Sequence, residues 1–420
     1  MIARHLIAPA AETSSARKEN MQDILRCPVT KLGLKAMTEE QLNQLNRRIL
    51  SHELRHLDGT SVQRPLTQAL ESEDGRFAYI IEDGITMLLA AFAIVLNPGP
   101  EDKPGQYQLR EEKQVVKDWY DEFGWQTGET GACLDALAFG DPRPVSQEYR
   151  DKTQLRPLKY LKQGGKYILD VASGGIPQPE YLQYSEAFEK RICIDLSFVA
   201  LQQAKKKLGT RGIYILGDIT NLPLCDDICD AVISLHTIYH VPADEQSSAL
   251  RELYRVLKPG GTALVIYNWG DNSLLMRMAR IPLNKSCLAV FHFLQSLFGL
   301  RQKRSETSQP SLPSRPARNL YFHAHNYKWF KAELGKYCHF DLVCWRSVDQ
   351  GFLVYYIRPH FFGKTLLRLI YWWESAFPRL AARLGEFPMF IIKKAEPSAS
   401  AGPVSMDVVS RTRPFESVQI

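Results

Sequence analysis

The sequence predicts an α/β fold whose main part is a doubly wound, mostly parallel sheet with helices on both faces. Short apolar runs of strand length alternate with amphipathic stretches of helical length over residues 166–269. Several of these runs end in small or acidic residues, and ligands bind at the carboxyl ends of the strands in such sheets. At 420 residues the chain has room for two to three folded units.

Five apolar runs are predicted to be strands of this sheet: 166–172, 191–197, 212–219, 229–236 and 262–269. The stretches 197–208 and 245–257 between them are predicted to be helices, and in the second Leu250, Leu253, Tyr254 and Leu257 recur at helical spacing. Strands that alternate with helices lie parallel and are covered on both faces.

Composition divides the rest of the chain. We expect residues 1–20 to be a disordered N-terminus and residues 21–96 to form a small α+β domain. The Pro- and Gly-rich stretch 97–105 is predicted to be a linker to the main domain, 106–395. Residues 396–420 show no periodicity and are expected to be a disordered tail.

Charge and cysteine content limit the possible partners and location. The net charge of +6 is modest for this length, and no nucleic-acid partner is expected. The eight cysteines are scattered, which favours reduced thiols in the cytoplasm. No apolar run reaches the ~18 residues of a spanning helix. The basic, apolar stretch 361–387 suits peripheral contact with a membrane, although a lid packed on its own domain is the favoured interpretation.

The ends of the first three predicted strands carry the residues of a candidate ligand site. The first strand ends at Asp170 and a small-residue turn, which lets the backbone approach a ligand. The second ends at Asp195, where a carboxylate can accept hydrogen bonds from both ribose hydroxyls. The third ends at Asp218, near where an adenine amino group would lie. The turn consists of Ala172, Ser173, Gly174 and Gly175.

A dinucleotide is the second ligand that suits this arrangement. Its pyrophosphate binds a G-x-G-x-x-G turn at the start of a helix. Here the turn from Ala172 continues into Ile176 and Pro177, and the last glycine is absent. A nicotinamide-dependent oxidoreductase is therefore the less favoured enzyme class.

Four motifs make residues 106–395 similar to class I S-adenosylmethionine-dependent methyltransferases of the type-11 kind, which include ubiquinone and menaquinone methyltransferases. They are DVASGG (170–175), CIDLS (193–197), GDITNLPLCDDICDAVISLHTIYHV (217–241) and ELYRVLKPGGTALV (252–265). The resemblance implies a Rossmann-like sheet of seven strands and S-adenosyl-L-methionine as the cofactor. It also implies O- or C-methylation of a small-molecule or lipid-like acceptor. A catalytically degenerate partner protein that only binds the cofactor is the alternative.

The resemblance also implies roles for the matching residues. Asp170 and the turn from Ala172 to Gly175 would hold the methionine moiety, and Asp195 would bind the ribose. Leu196 would pack on the adenine, and Asp218 with Ile219 would hold its edge. Two further residues complete the implied cofactor site: His236 at its floor and Tyr120 on a helix that closes over it. This sequence departs from the family's usual glycines at Ala172 and Ile176.

Methyl transfer needs alignment of the reactants, and a base only where the acceptor must lose a proton. His236, Tyr239 and His240 are the candidate catalytic residues, just past the fourth strand. The alternative interpretation is that they only shape the pocket. No metal site is expected, because the cysteine and histidine spacings lack a matching second pair.

The N-terminal unit shows a second resemblance. The segments ILRCPVTKLGL (24–34) and YIIEDGITMLL (79–89) are similar to the ends of small zinc-ribbon proteins that activate methyltransferases. That family usually carries C-P-x-C, and here Thr30 replaces the second cysteine after Cys27. The resemblance therefore implies a fused, metal-free platform that stabilises the catalytic domain.

Overall fold

A computed structural model describes residues 21–102, 105, 107–126, 133–135, 140–280, 320–359 and 362–396. The predicted disordered N-terminus, 1–20, lies outside these residues, and so does all but the first residue of the predicted tail, 396–420.

The N-terminal unit is a small antiparallel sheet with one helix. Four strands pair in chain order: β1 (Leu34–Ala36), β2 (Ala69–Ser72), β3 (Phe77–Glu82) and β4 (Ile85–Met87). A short strand, β5 (Ile94–Val95), pairs with β3. Helix α1 (Glu39–Leu50) begins with a capping box between Thr38 and Gln41, which satisfies two backbone N–H groups.

The central sheet contains seven strands of the main domain. They are β6 (Gly165–Val171), β7 (Phe188–Asp195), β8 (Gly212–Leu216), β9 (Cys229–Leu235), β10 (Leu257–Ile266), β11 (Phe340–Arg346) and β12 (Phe387–Lys393). Their order is β8-β7-β6-β9-β10-β12-β11, and β12 runs antiparallel to both of its neighbours. The chain leaves β6 in one direction and returns to β9 on its other side, which creates a switch point with a crevice at the strand ends. The predicted doubly wound, mostly parallel, seven-stranded sheet is confirmed.

Helices cover both faces of this sheet. They are α2 (Glu111–Trp119), α3 (Pro144–Gln154), α4 (Leu158–Leu161), α5 (Phe198–Leu208), α6 (Gln246–Val256), α7 (Leu274–Arg280), α8 (Tyr327–Leu334), α9 (Gln350–Tyr356), α10 (Gly363–Ala376) and α11 (Pro378–Leu384). Helix α2 continues directly into a π-helical turn, Tyr120–Gly124. The two helices predicted at 197–208 and 245–257 are confirmed as α5 and α6. Within the described ranges, no helix has both the length and the apolar character needed to cross a bilayer.

The strands of the central sheet are buried on both faces, which explains why they appear in the sequence as continuous apolar runs. In β6, Leu169 packs in the core on one face and Ile168 in the core on the other. Val232 and Ile233 divide in the same way in β9. The polar residues at the ends of these strands are therefore left at the rim of the sheet.

The N-terminal unit extends the central sheet sideways. Strand β4 pairs in parallel with β8, with Ile85 opposite Tyr214 and Met87 opposite Leu216. Leu25 forms an isolated bridge with Leu224 and is fully buried. The two predicted domains therefore share one sheet and part of one core.

Cys27 lies in the core that the two predicted domains share. Its thiol is buried and lies 3.1 Å from the hydroxyl of Tyr79. It also accepts a hydrogen bond from the backbone N–H of Thr30 at 3.3 Å. In the described ranges, no group of three or more His, Cys, Asp or Glu side chains is arranged to hold a metal ion.

Candidate functional site

A cavity of about 610 Å³ opens at the carboxyl ends of β6 to β9. This size is in the range of small-molecule sites. The strand ends bring most of the predicted site residues to its wall: Tyr120, Asp170, Ala172, Ser173, Asp195, Leu196, Asp218, Ile219, His236, Tyr239 and His240. Gly174 and Gly175 belong to the same turn but do not line the cavity.

The turn after β6 keeps a glycine-like backbone at positions that are not glycine. Ala172 has φ +51° and Ile176 has φ +52°, on either side of Gly174 at φ +54°. A left-handed conformation costs an L-residue roughly 1–2 kcal/mol, and glycine adopts it freely. Ala172 and Ile176, where the resembling family usually has glycines, therefore add backbone strain to this turn.

Trp125 covers this turn. A Cβ on Gly174 would lie 2.0 Å from ring atom Cη2 of Trp125, so only glycine permits this contact. Tyr120 stacks on Trp125 with ring centroids 5.1 Å apart, and it meets His240 edge-on at 6.3 Å. Burial raises the pKa of the Tyr120 phenol well above its usual value. Tyr120 thus lies over the turn, where the resemblance placed a closing residue, and its contact with a cofactor stays a prediction.

Asp170 forms a buried ion pair that the sequence did not reveal. Its Oδ2 accepts hydrogen bonds from Arg191 Nη2 at 2.5 Å and Nε at 3.1 Å. Arg191 Nη1 also donates to the carbonyl of Tyr181 at 2.6 Å. Burial raises the pKa of Asp170, and the Arg191 guanidinium opposes that rise. Asp170 therefore fixes the segment that follows the turn, in addition to facing the cavity.

Asp195 joins the turn to the start of α5. Its Oδ2 accepts the backbone N–H of Gly174 at 2.8 Å, and its Oδ1 accepts that of Ser197 at 2.9 Å. Burial raises the pKa of Asp195 to about 6, and the two N–H donors partly offset that rise. The carboxylate is thus held in one orientation at the cavity wall.

Asp218 is paired with a lysine from α2. Lys113 Nζ donates to Asp218 Oδ2 at 2.5 Å and lies 2.6 Å from Glu245 Oε2. The other carboxylate oxygen of Asp218 accepts the backbone N–H of Thr220 at 2.9 Å and its hydroxyl at 2.8 Å. This network ties α2, and with it Tyr120, to the end of β8.

The two candidate histidines are held in the neutral form. The ring of His236 lies edge-on to Trp345 at 4.6 Å, and burial, together with the charge of Arg346, lowers its pKa to about 3. His240 Nδ1 lies 2.7 Å from the carbonyl of Tyr321, so it carries the proton and Nε2 is the basic nitrogen. Burial lowers the pKa of His240 to about 4, and burial raises that of the Tyr239 phenol.

The far side of the cavity was not predicted from the sequence. It is formed by Asp135, Arg150, Gln154, Tyr181, Trp345, Arg346, Glu386 and Phe387, among others. Arg346 ends β11 and pairs with Phe387 at the start of β12, and neither strand was predicted. Without that pairing, nothing in the spacing of these residues indicates a common site.

Comparison with known proteins identifies the central part of the chain. Residues 169–265 match the family model of the methyltransferase domain. This match confirms the predicted methyltransferase class of this domain, and with it S-adenosyl-L-methionine as the cofactor of that class.

Individual relatives match over shorter fractions of their length. The sterol 24-C-methyltransferase of Aspergillus fumigatus is 26% identical over 155 residues, which is 35% of this chain and 38% of the relative. The ubiquinone/menaquinone biosynthesis C-methyltransferase of Desulfotalea psychrophila is 33% identical over 104 residues, which is 24% of this chain and 42% of the relative. The chain thus spans less than half the length of these two relatives.

Among solved structures, the Haemonchus contortus phosphoethanolamine N-methyltransferase 2 in complex with S-adenosyl-L-methionine matches with a TM-score of 0.39 and 15% identity. The match covers 73% of this chain and 63% of that chain.

Proposed function

We propose that this chain, whose residues 169–265 form a methyltransferase domain, transfers a methyl group from S-adenosyl-L-methionine to a small-molecule or lipid-like acceptor. The observation that carries the proposal is the placement of Asp195 at the end of β7. Its carboxylate is oriented by two backbone N–H groups and opens on the cavity, where it can accept hydrogen bonds from ribose hydroxyls.

The remaining cofactor contacts follow the walls of the cavity. Asp170 and the turn from Ala172 to Gly175 would hold the methionine end, with Tyr120 above it. Leu196 and Ile219 offer apolar surface for an adenine, and Asp218 lies at its edge. Because Lys113 already occupies Asp218 Oδ2, we propose that Asp218 acts chiefly by fixing α2.

The cofactor supplies an electrophilic methyl group, so the protein's main task is alignment of the acceptor with it. His236 and His240 are neutral, and with pKa values of about 3 and 4 they are weak bases near neutral pH. We propose that they shape the floor together with Tyr239, rather than remove a proton. The rings of Tyr239 and His240 lie 4.5 Å apart, as expected of such a wall.

Calorimetric titration with S-adenosyl-L-methionine and S-adenosylhomocysteine tests the proposal. We expect the wild-type chain to bind both, and Asp195→Ala to bind at least about tenfold more weakly, because charged hydrogen bonds are lost. Asp271→Ala is the matched control, since the Asp271 side chain is fully exposed. Absence of binding by the wild-type chain would disprove the proposed function, and equal binding by Asp195→Ala would reject the role of Asp195.

The supporting role proposed for the N-terminal unit rests on its contacts with the main domain. Strand β4 completes the edge of β8, and Asn221 Nδ2 donates to the carbonyl of Pro28 at 3.0 Å. The backbone N–H of Cys225 donates to the carbonyl of Ile24 at 3.0 Å. These contacts support a platform that stabilises the catalytic sheet without a metal.

Peripheral membrane contact is proposed for the outer face of the stretch 361–387. Its inner face packs on the domain, where buried Glu374 accepts the hydroxyl of Tyr149 at 2.7 Å. The outer face exposes large apolar side chains beside basic ones, a combination that suits an anionic bilayer. The exposed apolar residues are Phe362, Leu366, Leu369, Trp372, Phe377 and Leu380.

Co-sedimentation with vesicles tests this contact. We expect the full chain to bind vesicles that contain phosphatidylglycerol and to bind less at high salt. Trp372→Ser should weaken binding, because that side chain is 62% exposed in the free protein. Recovery of all the protein in the supernatant would contradict the membrane contact and favour a stretch that acts as a lid on its own domain.

A further inference from the structure

Arg346 is a buried cation at the far wall of the cavity. It is the last residue of β11, is only 9% exposed and lines the cavity. Its guanidinium lies 4.9 Å from the ring of Trp345 and 4.7 Å from the ring of Phe387. Aromatic faces attract a cation, but they do not satisfy its N–H donors.

Three donor nitrogens of cavity-lining residues at this wall have no acceptor in the described part of the chain, and one acceptor there, Glu386 Oε2, also has no partner. Arg346 Nε, Arg150 Nε and Trp345 Nε1 are all buried and lack a hydrogen-bond partner there. By contrast, buried Arg191 is paired with Asp170 at 2.5 Å, and the largely buried Arg156 is paired with Glu374 at 2.9 Å. Since an unpaired buried charge is costly, a site that retains one points to a ligand that pairs with it.

The carboxyl groups near this wall do not balance the two arginines. Asp349 is paired with Arg280 at 3.1 Å. Burial raises the pKa of both Glu386 and Asp135 to about 7, so each carboxyl is only partly ionised near neutral pH. Within the described residues, neither Arg346 nor Arg150 forms an ion pair with any of these carboxyl groups.

We propose that the acceptor is an anion whose oxyanion group, a carboxylate or a phosphate, is bound by Arg346, with Arg150 as a second donor. This inference rests on the proposed methyltransferase function and names the class of its substrate. The planar guanidinium donates two parallel hydrogen bonds to such a group. Trp345 and Phe387 flank it and give the adjoining part of the acceptor an apolar or aromatic environment.

Such a site binds anionic acceptors in preference to neutral acceptors of the same shape. A neutral acceptor would bury Arg346 without a partner, whereas a site built for a charged group rejects its uncharged analogue strongly. Arg346 also lies near His236, whose pKa it lowers after the larger effect of burial. The oxyanion would thus be held close to the floor that separates acceptor from cofactor.

The test is a calorimetric titration of the full chain, saturated with S-adenosylhomocysteine, with three probes: 2-naphthoate, 2-naphthyl phosphate and the neutral analogue 2-naphthamide. We expect at least one anionic probe to bind about tenfold or more tightly than the amide. The preferred anion identifies the oxyanion as carboxylate or phosphate. Arg346→Gln should remove the difference between anion and amide, and Arg346→Lys should restore part of it.

Arg277→Gln is the control, because Arg277 is exposed on α7 and does not line the cavity. Equal affinity of the wild-type chain for all three probes would overturn the inference, and this comparison needs no variant. An unchanged preference in Arg346→Gln would overturn it as well. Failure to bind S-adenosylhomocysteine at all would instead disprove the proposed function, so the two failures are distinguishable.

Discussion

Trp125 lies against Gly174 so closely that the turn after β6 has no room for a side chain: a Cβ would be 2.0 Å from the indole ring. Gly174 also donates its N–H to Asp195 at 2.8 Å. One glycine therefore serves both the aromatic cover of the turn and the orientation of the carboxylate proposed to bind the ribose.

Gly174→Ala should displace Trp125 and weaken cofactor binding by at least about tenfold, with a loss of stability above the ~1–3 kcal/mol of a strained residue. Gly209→Ala is the matched control: Gly209 has φ +56°, near the +54° of Gly174, but nothing lies within 4 Å of its added Cβ. It should lose stability and keep its cofactor affinity. Calorimetry and urea unfolding measure the two effects, and equal affinity in both variants would contradict the role of Gly174.

Ala172→Gly should raise the free energy of unfolding by about 1 kcal/mol, because glycine adopts the observed φ of +51° without strain. The same replacement inside a helix should change the free energy of unfolding in the opposite direction, because glycine is a poorer helix former than alanine. Ala332→Gly in α8 is therefore expected to lower that free energy by about 1 kcal/mol. Urea denaturation of the two variants checks the prediction, which is wrong if both are destabilised.

Cofactor affinity should rise with pH through about 6. The ionised form of Asp195 is the form proposed to accept hydrogen bonds from ribose hydroxyls, and burial raises the pKa of this carboxyl to about 6. Binding favours the ionised form and so releases a proton below that pH, which gives up to about a tenfold change in affinity per pH unit. Above pH 7 the affinity should be level. Titrations from pH 5 to 8 measure this, and Asp195→Asn should remove the slope.

His240→Ala should lower kcat by less than about tenfold, measured with an acceptor that the wild-type chain methylates. A general base contributes about 10²- to 10⁴-fold, whereas an imidazole with a pKa of about 4 is a weak base near neutral pH, so we expect His240 to act by shaping the cavity wall. His236→Ala serves as the parallel variant, since its pKa is also low. A loss of a hundredfold or more, with cofactor affinity retained, would identify His240 as a base.

Residues 106–396 alone should be less soluble and less active than the full chain. Removal of the N-terminal unit exposes the edge of β8, where Tyr214 and Leu216 lie opposite Ile85 and Met87, and uncovers apolar core. Light scattering compares the solubility of the two proteins, and an assay of methyl transfer compares their activity. If the shorter chain matches the full one in both respects, the platform role is wrong.

The sequence predicted the five strands β6 to β10 because each is buried on both faces and is therefore a continuous apolar run. It also predicted Asp170, Asp195 and Asp218 as strand-end residues, and the structure brings all three to one cavity. What it missed depends on distant pairing. Lys113 and Asp218 are 105 positions apart, and no local period connects them.

The far wall was missed for the same reason. Arg346 becomes part of the site only through the antiparallel pairing of β11 with β12, which brings Phe387 beside it. The strain at Ala172 could be predicted only in part: the sequence has alanine where the resembling family usually has glycine, and the structure shows a left-handed backbone at that position.

The pairing of β4 with β8 also orders events during synthesis. Strand β4 leaves the ribosome well before β8, so its free edge is already available when Gly212–Leu216 emerges. Strand β8 can therefore pair with β4 as soon as it is synthesised. We therefore expect the nascent catalytic sheet to spend less time with β8 as an unpaired edge that could pair with a neighbouring chain.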